Sequence, residues 1–133
     1  MPTTFDVAVA RPAPLVTVVI VNFNGGGMIC QCLAALAQQS FADFSTIVVD
    51  NNSSDDSVAA IHADFPLVTV LHLNKNLGFA GGVNHALRAC PLGTWVALLN
   101  PDAFPHKDWL QNLVQSAERN PRYASFGSRM FSD

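Results

Sequence analysis

Four short apolar runs along the chain each end in asparagine or aspartate. The runs occupy residues 16–21, 47–49, 68–73 and 95–99, and the residues that follow them are Asn22, Asp50, Asn74 and Asn100. Because the runs are rich in β-branched residues and lack polar alternation, they predict strands buried on both faces, as in a parallel sheet. The carboxyl ends of parallel strands share one edge, where open α/β sheets bind ligands. The pattern therefore predicts a polar ligand at that edge.

The segments between these runs have apolar residues at helical spacing. Ser53 or Ser54 is the predicted N-cap of the second helix, with Asp55 and Asp56 in its first turn. The predicted order is β-α-β-α-β-α-β-α, with a fifth candidate strand near residues 123–130. This alternation predicts a parallel α/β sheet with right-handed crossovers. The apolar positions of the four predicted helices are Met28, Ile29, Cys32, Leu33 and Leu36; Val58, Ile61 and Phe65; Phe79, Val83, Ala86, Leu87 and Cys90; Leu110, Leu113, Val114 and Ala117.

Composition narrows the functional classes. The 133 residues suit one domain or part of one. A net charge of −3 disfavours a nucleic-acid partner, and no apolar stretch reaches the roughly 20 residues that span a bilayer. Cys30, Cys32 and Cys90 are expected to be buried or half-buried thiols in a reducing compartment. We therefore predict a cytoplasmic protein. Peripheral association with the inner face of the plasma membrane is a second expectation.

The two ends of the sequence carry separate expectations. Residues 1–14 are interpreted as a flexible leader, in which Pro12 and Pro14 stop any helix before the first strand, and residues 15–133 as the domain. The sequence stops soon after the last candidate strand, with no closing helix. An unclosed sheet edge is a liability in a soluble protein. We therefore expect either a piece of a longer protein or self-association through the unclosed edge.

Asn100-Pro101-Asp102 is the first candidate for chemistry. A carboxylate on a stiff turn at the end of a buried strand is well placed to hold Mg²⁺ or Mn²⁺, which prefer oxygen ligands and take substrate phosphates as further ligands. The competing interpretation is a simple turn that caps a helix starting near His106, because these residue types are common turn formers.

Asp50-Asn51-Asn52-Ser53 is the second candidate. An acid at the end of the second strand can accept hydrogen bonds from a ribose hydroxyl or a base N–H. The competing interpretation is an Asx turn followed by a helix cap. Ser53, Ser54 and Asp55 could supply that cap without Asp50, so Asp50 is the stronger functional candidate.

Two glycine-rich segments follow strands. The first is Asn22-Phe23-Asn24-Gly25-Gly26-Gly27. Its glycines allow the backbone to approach a ligand closely, and the N–H groups at a helix start favour phosphate. The Phe23 ring is suited to stacking on a base; the competing interpretation is a core phenylalanine.

The second segment, residues 76–84, places Gly78, Gly81 and Gly82 at or inside a predicted helix, which costs about 1 kcal/mol each relative to alanine. Close approach of a ligand, with Asn84 on the same helix, or tight helix–sheet packing would explain that cost. The spacing is not the dinucleotide motif G-x-G-x-x-G.

The order and spacing of four segments resemble family 2 of the inverting glycosyltransferases, and most of all its rhamnosyltransferase-like branch, in which Asn-Pro-Asp is frequent. The segments are VVIVNFN at residues 18–24, VVDNNSSD at residues 48–55, NLGFAGGVN at residues 76–84 and LLNPD at residues 98–102. The resemblance covers about residues 15–130. It implies a GT-A fold, a Rossmann-like and mostly parallel sheet flanked by helices, which here stops before the acceptor-binding half.

The resemblance also implies site residues and cofactors. It implies a UDP- or dTDP-linked sugar donor, a glycan or lipid-linked acceptor, and Mg²⁺ or Mn²⁺ held at the position of Asp102. Asn100 departs from the acid found at that position in the family, and the catalytic base is expected beyond residue 133. The implied nucleotide-sugar-binding set is Asn22, Phe23, Asn24, Asp50, Asn52, Gly78, Asn84, Asn100 and Asp102.

We therefore predict a metal-dependent inverting glycosyltransferase of polysaccharide, cell-wall or lipid-linked glycan synthesis, represented here by its donor-binding part and inactive alone. One alternative is a stand-alone or degenerate nucleotide-sugar-binding module without catalysis. A Rossmann-type dehydrogenase domain is another, since Asp50 suits a ribose-binding acid, but the absent G-x-G-x-x-G and the Asn-Pro-Asp turn argue against it.

Overall fold

The structure is a computed structural model in which residues 13–130 are described. The predicted leader therefore lies outside the described residues, apart from Ala13 and Pro14. The elements alternate as the hydrophobic pattern predicts. They are β1 (Val16–Asn22), α1 (Gly26–Ala37), β2 (Phe44–Asp50), α2 (Ser57–Asp64), β3 (Thr69–His72), α3 (Gly78–Ala89), β4 (Trp95–Leu99) and α4 (Trp109–Arg119).

The four strands form one parallel sheet in the order β3-β2-β1-β4. Asn22 is in register with Asp50, and Asp50 with His72, so these residues form a row at the carboxyl edge. The chain moves outward from β1 to β2 and β3, then returns to place β4 on the other side of β1. The crevice beyond β1 and β4 is thus a topological switch point, the usual ligand site of such sheets.

Two apolar layers cover the sheet, and β1 is buried along its whole length. On one face, Val18 and Ile20 pack with α1, α2 and α4; on the other, Val19 and Val21 pack with α3. The helix residues buried in these layers are Ile29, Cys32, Leu33, Leu36, Ile61, Leu110 and Val114 on the first face, and Val83 and Ala86 on the second. Among residues 13–130, no helix has the length and hydrophobicity that crossing a membrane requires.

Burial on both faces does not hold for β4, where the prediction is wrong. Its burial alternates: Val96 is 37% exposed and Leu98 48% exposed, whereas Trp95 and Ala97 pack against the core. The register places Leu98 beside Val19, on the face that α3 covers. Because α3 packs over β1 and β2, this face of the edge strand stays open.

Two further expectations are corrected. Residues 123–130 form no strand: the Phe126 ring packs edge-on against Trp95, with centroids 5.9 Å apart, and Ser128 accepts a hydrogen bond from Trp109 Nε1 at 2.7 Å. Side chains therefore hold this segment against the body of the protein without strand pairing. Helix α2 begins at Ser57, and the Ser53 hydroxyl, expected as its cap, is used by the loop after β1.

Candidate functional site

The loop after β1 and the loop after β2 are joined by side-chain hydrogen bonds. Asn22 Nδ2 lies within hydrogen-bonding distance of Asp50 Oδ1 at 3.3 Å, Ser53 Oγ at 3.3 Å and Ser57 Oγ at 3.0 Å. The backbone N–H of Asn24 donates to Ser53 Oγ at 2.9 Å, and Asn24 Oδ1 accepts from the N–H of Ser54 at 2.8 Å. The two loops therefore form one rigid rim beside the crevice.

Asn22 is completely buried in this rim. Its Oδ1 has no hydrogen-bond partner within the described part of the chain. A Cβ atom at residue 25 would lie 2.3 Å from that oxygen, so only glycine fits there. The Nδ2 group of Asn22 is engaged within the rim. Contact between Asn22 and a nucleotide sugar remains a prediction.

Asp50 is buried at the end of β2, with its carboxylate oriented by two donors. Asn22 donates to Oδ1, the N–H of Ser53 donates to Oδ2 at 3.2 Å, and His72 Nδ1 lies 4.0 Å from Oδ2. The hydrogen bond from the N–H of Ser53 closes the local turn that the competing interpretation expected. A carboxylate has about four acceptor positions, so this turn leaves capacity for a base or ribose donor.

The N-terminus of α1 is already occupied by a carboxylate. The N–H of Gly26, which has φ +54°, donates to Asp55 Oδ2 at 2.9 Å. The hydroxyl of Ser57 donates to the same carboxylate, and this bond is the largest of the causes that hold the pKa of Asp55 below its ordinary value. The negative charge of Asp55 argues against the predicted phosphate contact at this helix start.

Asn100, Pro101 and Asp102 form a tight turn at the end of β4. The N–H of Ala103 donates to the carbonyl oxygen of Asn100 at 3.1 Å, which closes the turn. Helix α4 begins only at Trp109 with Asp108 in the N-cap position, so the expected capping by this turn is absent. Asp102 is exposed, and within residues 13–130 its carboxylate makes no hydrogen bond or ion pair. Its carboxylate oxygens are therefore available to an external ligand.

The buried Cys32 of α1 anchors this turn. Its Sγ donates to the carbonyl oxygen of Asn100 at 3.6 Å. Burial, with a smaller contribution from the charge of Asp102, raises the pKa of Cys32 to about 12. Cys32 is therefore a neutral thiol at physiological pH, as expected for a structural cysteine, and all three cysteines are free.

The other predicted site residues lie around the same edge. Phe23 is 52% exposed, so the interpretation as a core phenylalanine is wrong. Asn52 (φ +64°), Gly78 (φ +72°) and Asn84 are exposed on the second loop, the start of α3 and α3 itself. A Cβ at Gly82 would lie 2.9 Å from Val21 Cγ1, which confirms tight helix–sheet packing at that glycine.

The sequence-based interpretation missed one residue at this edge. Asn51 is absent from the predicted set, although its side chain binds the backbone of residues 77 and 78. Its place at the end of β2 was the available signal. His72, an exposed residue of the edge strand β3, lies with Nδ1 4.0 Å from Asp50 Oδ2. Within residues 13–130, no group of three or more His, Cys, Asp or Glu side chains is arranged to hold a metal ion.

Comparison with known proteins adds family information to this geometry. The family model described as "Glycosyl transferase family 2" matches residues 17–133. The N-acetylglucosaminyl-diphospho-decaprenol L-rhamnosyltransferase of Mycobacterium tuberculosis is 27% identical over 120 residues, which cover 83% of this chain and 39% of that protein. The chain spans 36%, 30% and 15% of the length of three further curated relatives.

Two solved structures share the fold. The S. aureus protein TarS in complex with UDP superposes with a TM-score of 0.72 at 24% identity, covering 80% of this chain and 32% of TarS. The mannosyltransferase PcManGT from Pyrobaculum calidifontis, in complex with GDP-Man and Mn²⁺, has a TM-score of 0.72 at 28% identity, covering 80% of this chain and 33% of that one. The predicted α/β fold of GT-A type is confirmed.

Proposed function

Because this chain belongs to glycosyl transferase family 2, we propose that it forms the donor-binding part of an enzyme that transfers a sugar from a nucleotide diphosphate to an acceptor hydroxyl with inversion. The observation that carries the proposal is the arrangement of the carboxyl edge. Asp50, a buried and oriented carboxylate, and Asp102, a carboxylate without a partner among residues 13–130, lie at the carboxyl ends of strands on opposite sides of β1. Nucleotide ligands of parallel sheets bind across such a crevice.

Asp50 is assigned to the base or ribose of the donor. Its carboxylate is held in place by Asn22 and Ser53 and keeps acceptor capacity for an N–H or O–H group. The exposed ring of Phe23 at the end of β1 is suited to stacking on the base. The remaining predicted contacts are Asn22, Asn24, Asn52, Gly78, Asn84, Asn100 and Asp102.

Asp102 is assigned to a divalent cation, Mg²⁺ or Mn²⁺. Its exposed carboxylate, on a turn closed by a backbone hydrogen bond, fits a hard cation that takes oxygen ligands. When bound there, such an ion would offset the negative charge of the donor diphosphate. Because Asn100 brings no charge, we expect weak metal affinity unless the diphosphate is present. The Mn²⁺ in the 28% identical mannosyltransferase supports this assignment.

The catalytic base is proposed to lie beyond residue 133. A base would have to deprotonate the acceptor hydroxyl near the sugar. Asp108 accepts a hydrogen bond from Ser40 Oγ at 2.8 Å, beyond the end of α1 that is remote from the crevice, so Asp108 is unsuited to that role. The acceptor is proposed to be a glycan or a lipid-linked sugar, in line with the rhamnosyltransferase relative.

Calorimetric titration with UDP, dTDP and GDP, each with and without Mn²⁺, tests the proposal. Wild-type protein is expected to bind at least one nucleotide, more tightly with the metal. Asp102→Ala should lose most of that metal enhancement, about tenfold or more, because the removed charge holds the ion. Asp43→Ala, which removes an exposed carboxylate beside the amino end of β2, serves as the control and should bind as wild type does.

The outcomes separate the candidates. If Mn²⁺ still strengthens nucleotide binding by Asp102→Ala, the assignment of the metal to Asp102 is wrong, and the rest of the proposal is unaffected. Absence of nucleotide binding by the wild type would remove the donor-binding role of this chain. Binding without transfer by the full-length protein would favour the second candidate, a nucleotide-sugar-binding module without catalysis. Family membership leaves the dehydrogenase alternative without support.

Two further proposals concern the protein's surroundings. The open face of β4, with Val96 and Leu98, is proposed to mediate self-association of the chain. The cytoplasm remains the proposed location, including its membrane surface, because all three cysteines are free thiols and a reducing compartment keeps them so.

A further inference from the structure

Asn51 follows Asp50 directly and is buried, with 2% of its surface exposed. Its side chain binds the backbone of a distant segment: Nδ2 donates to the carbonyl oxygen of Gly78 at 3.0 Å, and Oδ1 accepts from the N–H of Leu77 at 3.2 Å. Its own N–H donates to the carbonyl oxygen of Asn22 at 2.8 Å. One residue therefore joins the ends of β1 and β2 to the beginning of α3.

The side chain of Asn51 is one of two that hold this turn. Leu77 occupies the N-cap position of α3 and its own side chain makes no cap, whereas Asn76 Oδ1 accepts from the N–H of Gly78 at 2.8 Å. Gly78 has φ +72°, a conformation that glycine adopts freely, so sequence preference alone does not fix the turn. Within the second loop, Asn51 supplies a donor and an acceptor on separate atoms to this backbone.

We propose that Asn51 is a positioning residue that sets the distance between Asp50 and the Gly78 wall of the nucleotide pocket. The inference rests on the proposed function, in which Asp50 contacts the base or ribose and Gly78 is one of the predicted nucleotide-sugar contacts. Asn51 is bonded covalently to Asp50 and by hydrogen bonds to residues 77 and 78. Any shift of α3 against β2 is resisted by these bonds, so their loss widens the pocket at the nucleoside.

Substitution by alanine, Asn51→Ala, removes both bonds. A matched control exists at Gln39, just beyond the end of α1, whose Nε2 donates to the carbonyl oxygen of His106 at 2.8 Å and whose Oε1 accepts from the N–H of Leu110 at 3.0 Å. Gln39→Ala thus removes the same pair of interactions about 18 Å along α1 from the carboxyl edge. Both variants are expected to lose similar thermal stability.

The deciding readout is nucleotide affinity measured with and without Mn²⁺. Asn51→Ala is expected to bind the preferred nucleotide about tenfold more weakly, corresponding to two modest hydrogen bonds. The loss should be equal with and without Mn²⁺, because the metal is assigned to Asp102 on the other side of β1. Gln39→Ala should keep wild-type affinity. Amide hydrogen exchange at Leu77 should accelerate in Asn51→Ala only.

The possible results distinguish the two proposals. Wild-type affinity in Asn51→Ala, or an equal affinity loss in Gln39→Ala, overturns the positioning role and leaves the proposed function intact. A wild-type protein that binds none of the nucleotides overturns the proposed function and the positioning role together. If Asn51→Ala does not fold, Asn51→Asp replaces it: this variant keeps an acceptor for the N–H of Leu77 but loses the donor to Gly78, and must show a metal-independent affinity loss.

Discussion

The side chains of Asn22, Asn24 and Asn51 explain why so many amides follow the strands of this chain. Each binds another loop at the carboxyl edge: Asn22 binds Ser57, Asn24 binds Ser54, and Asn51 binds residues 77 and 78. The bond of Asn22 to Ser57 is buried, those of Asn51 are partly buried and that of Asn24 is exposed, so these amides join the loops at every depth of the edge. Asp102 differs from them because its carboxylate makes no hydrogen bond or ion pair within residues 13–130.

Gly82 gives a prediction at the scale of a single residue. A Cβ there would lie 2.9 Å and 3.1 Å from the two methyl groups of Val21. Gly82→Ala should therefore displace α3 from the sheet. We expect the free energy of unfolding to fall by about 1–3 kcal/mol, the usual cost of overpacking. Urea denaturation measures this loss.

Gly27→Ala is the matched control for this prediction. It also places alanine in a helix, but nothing lies within 4 Å of the added Cβ. Gly27→Ala should be neutral or stabilise the protein by up to about 1 kcal/mol, because alanine favours helix. If Gly82→Ala proves as stable as Gly27→Ala, the helix–sheet contact is looser than the structure shows.

At the scale of the elements, Asp55 connects the beginnings of two helices. Its carboxylate accepts from the N–H of Gly26 at the start of α1 and from the N–H of Ser57 at the start of α2. Helix-start N–H groups lack partners within their own helices. Asp55 thus couples α1 to α2, whereas Asp56, although in the N-cap position, makes no side-chain cap.

Asp55→Ala should therefore lower the free energy of unfolding by about 1 kcal/mol at neutral pH, and Asp56→Ala by less. Hydrogen bonding to the carboxylate lowers the pKa of Asp55 from its ordinary 3.8. The advantage of wild type over Asp55→Ala is thus complete above that value and disappears as the pH falls through the lowered pKa. Thermal unfolding of both proteins from pH 7 to pH 2 checks this, and a constant difference would contradict it.

At the scale of the whole molecule, one face of the edge strand β4 is left open. Val96 and Leu98 are exposed there, while α3 covers the same face of β1, the neighbour of β4, and of β2 beyond it. Edge strands with exposed apolar side chains favour association with another chain.

The isolated chain is therefore expected to self-associate with increasing concentration in sedimentation velocity. Leu98→Lys should weaken that association by about tenfold or more, because burying an unpaired charge is costly. Leu67→Lys adds the same charge at a leucine that is 96% exposed in the turn before β3, and should change nothing. A wild-type chain that stays monomeric at all concentrations would contradict the proposal.

The sequence was a good guide to the elements and a poorer guide to their boundaries and exposure. All four strands and four helices were predicted, whereas the fifth strand at residues 123–130 and the serine cap of α2 were wrong. Both errors have one cause. Ser53 and residues 123–130 are held by distant side chains, such as Asn22 and Trp109, which local pattern cannot reveal.

The sequence by itself determined the alternation of strands and helices, the parallel sheet and the row of polar residues at its carboxyl edge, because the period of apolar residues and the residue types at strand ends are local properties. Only the tertiary structure decided which of those residues make hydrogen bonds within the fold. Burial and hydrogen bonding depend on contacts between residues distant in sequence. Those contacts enclose Asn22 and Asn51, place Asp55 at the start of α1, and leave Asp102 exposed.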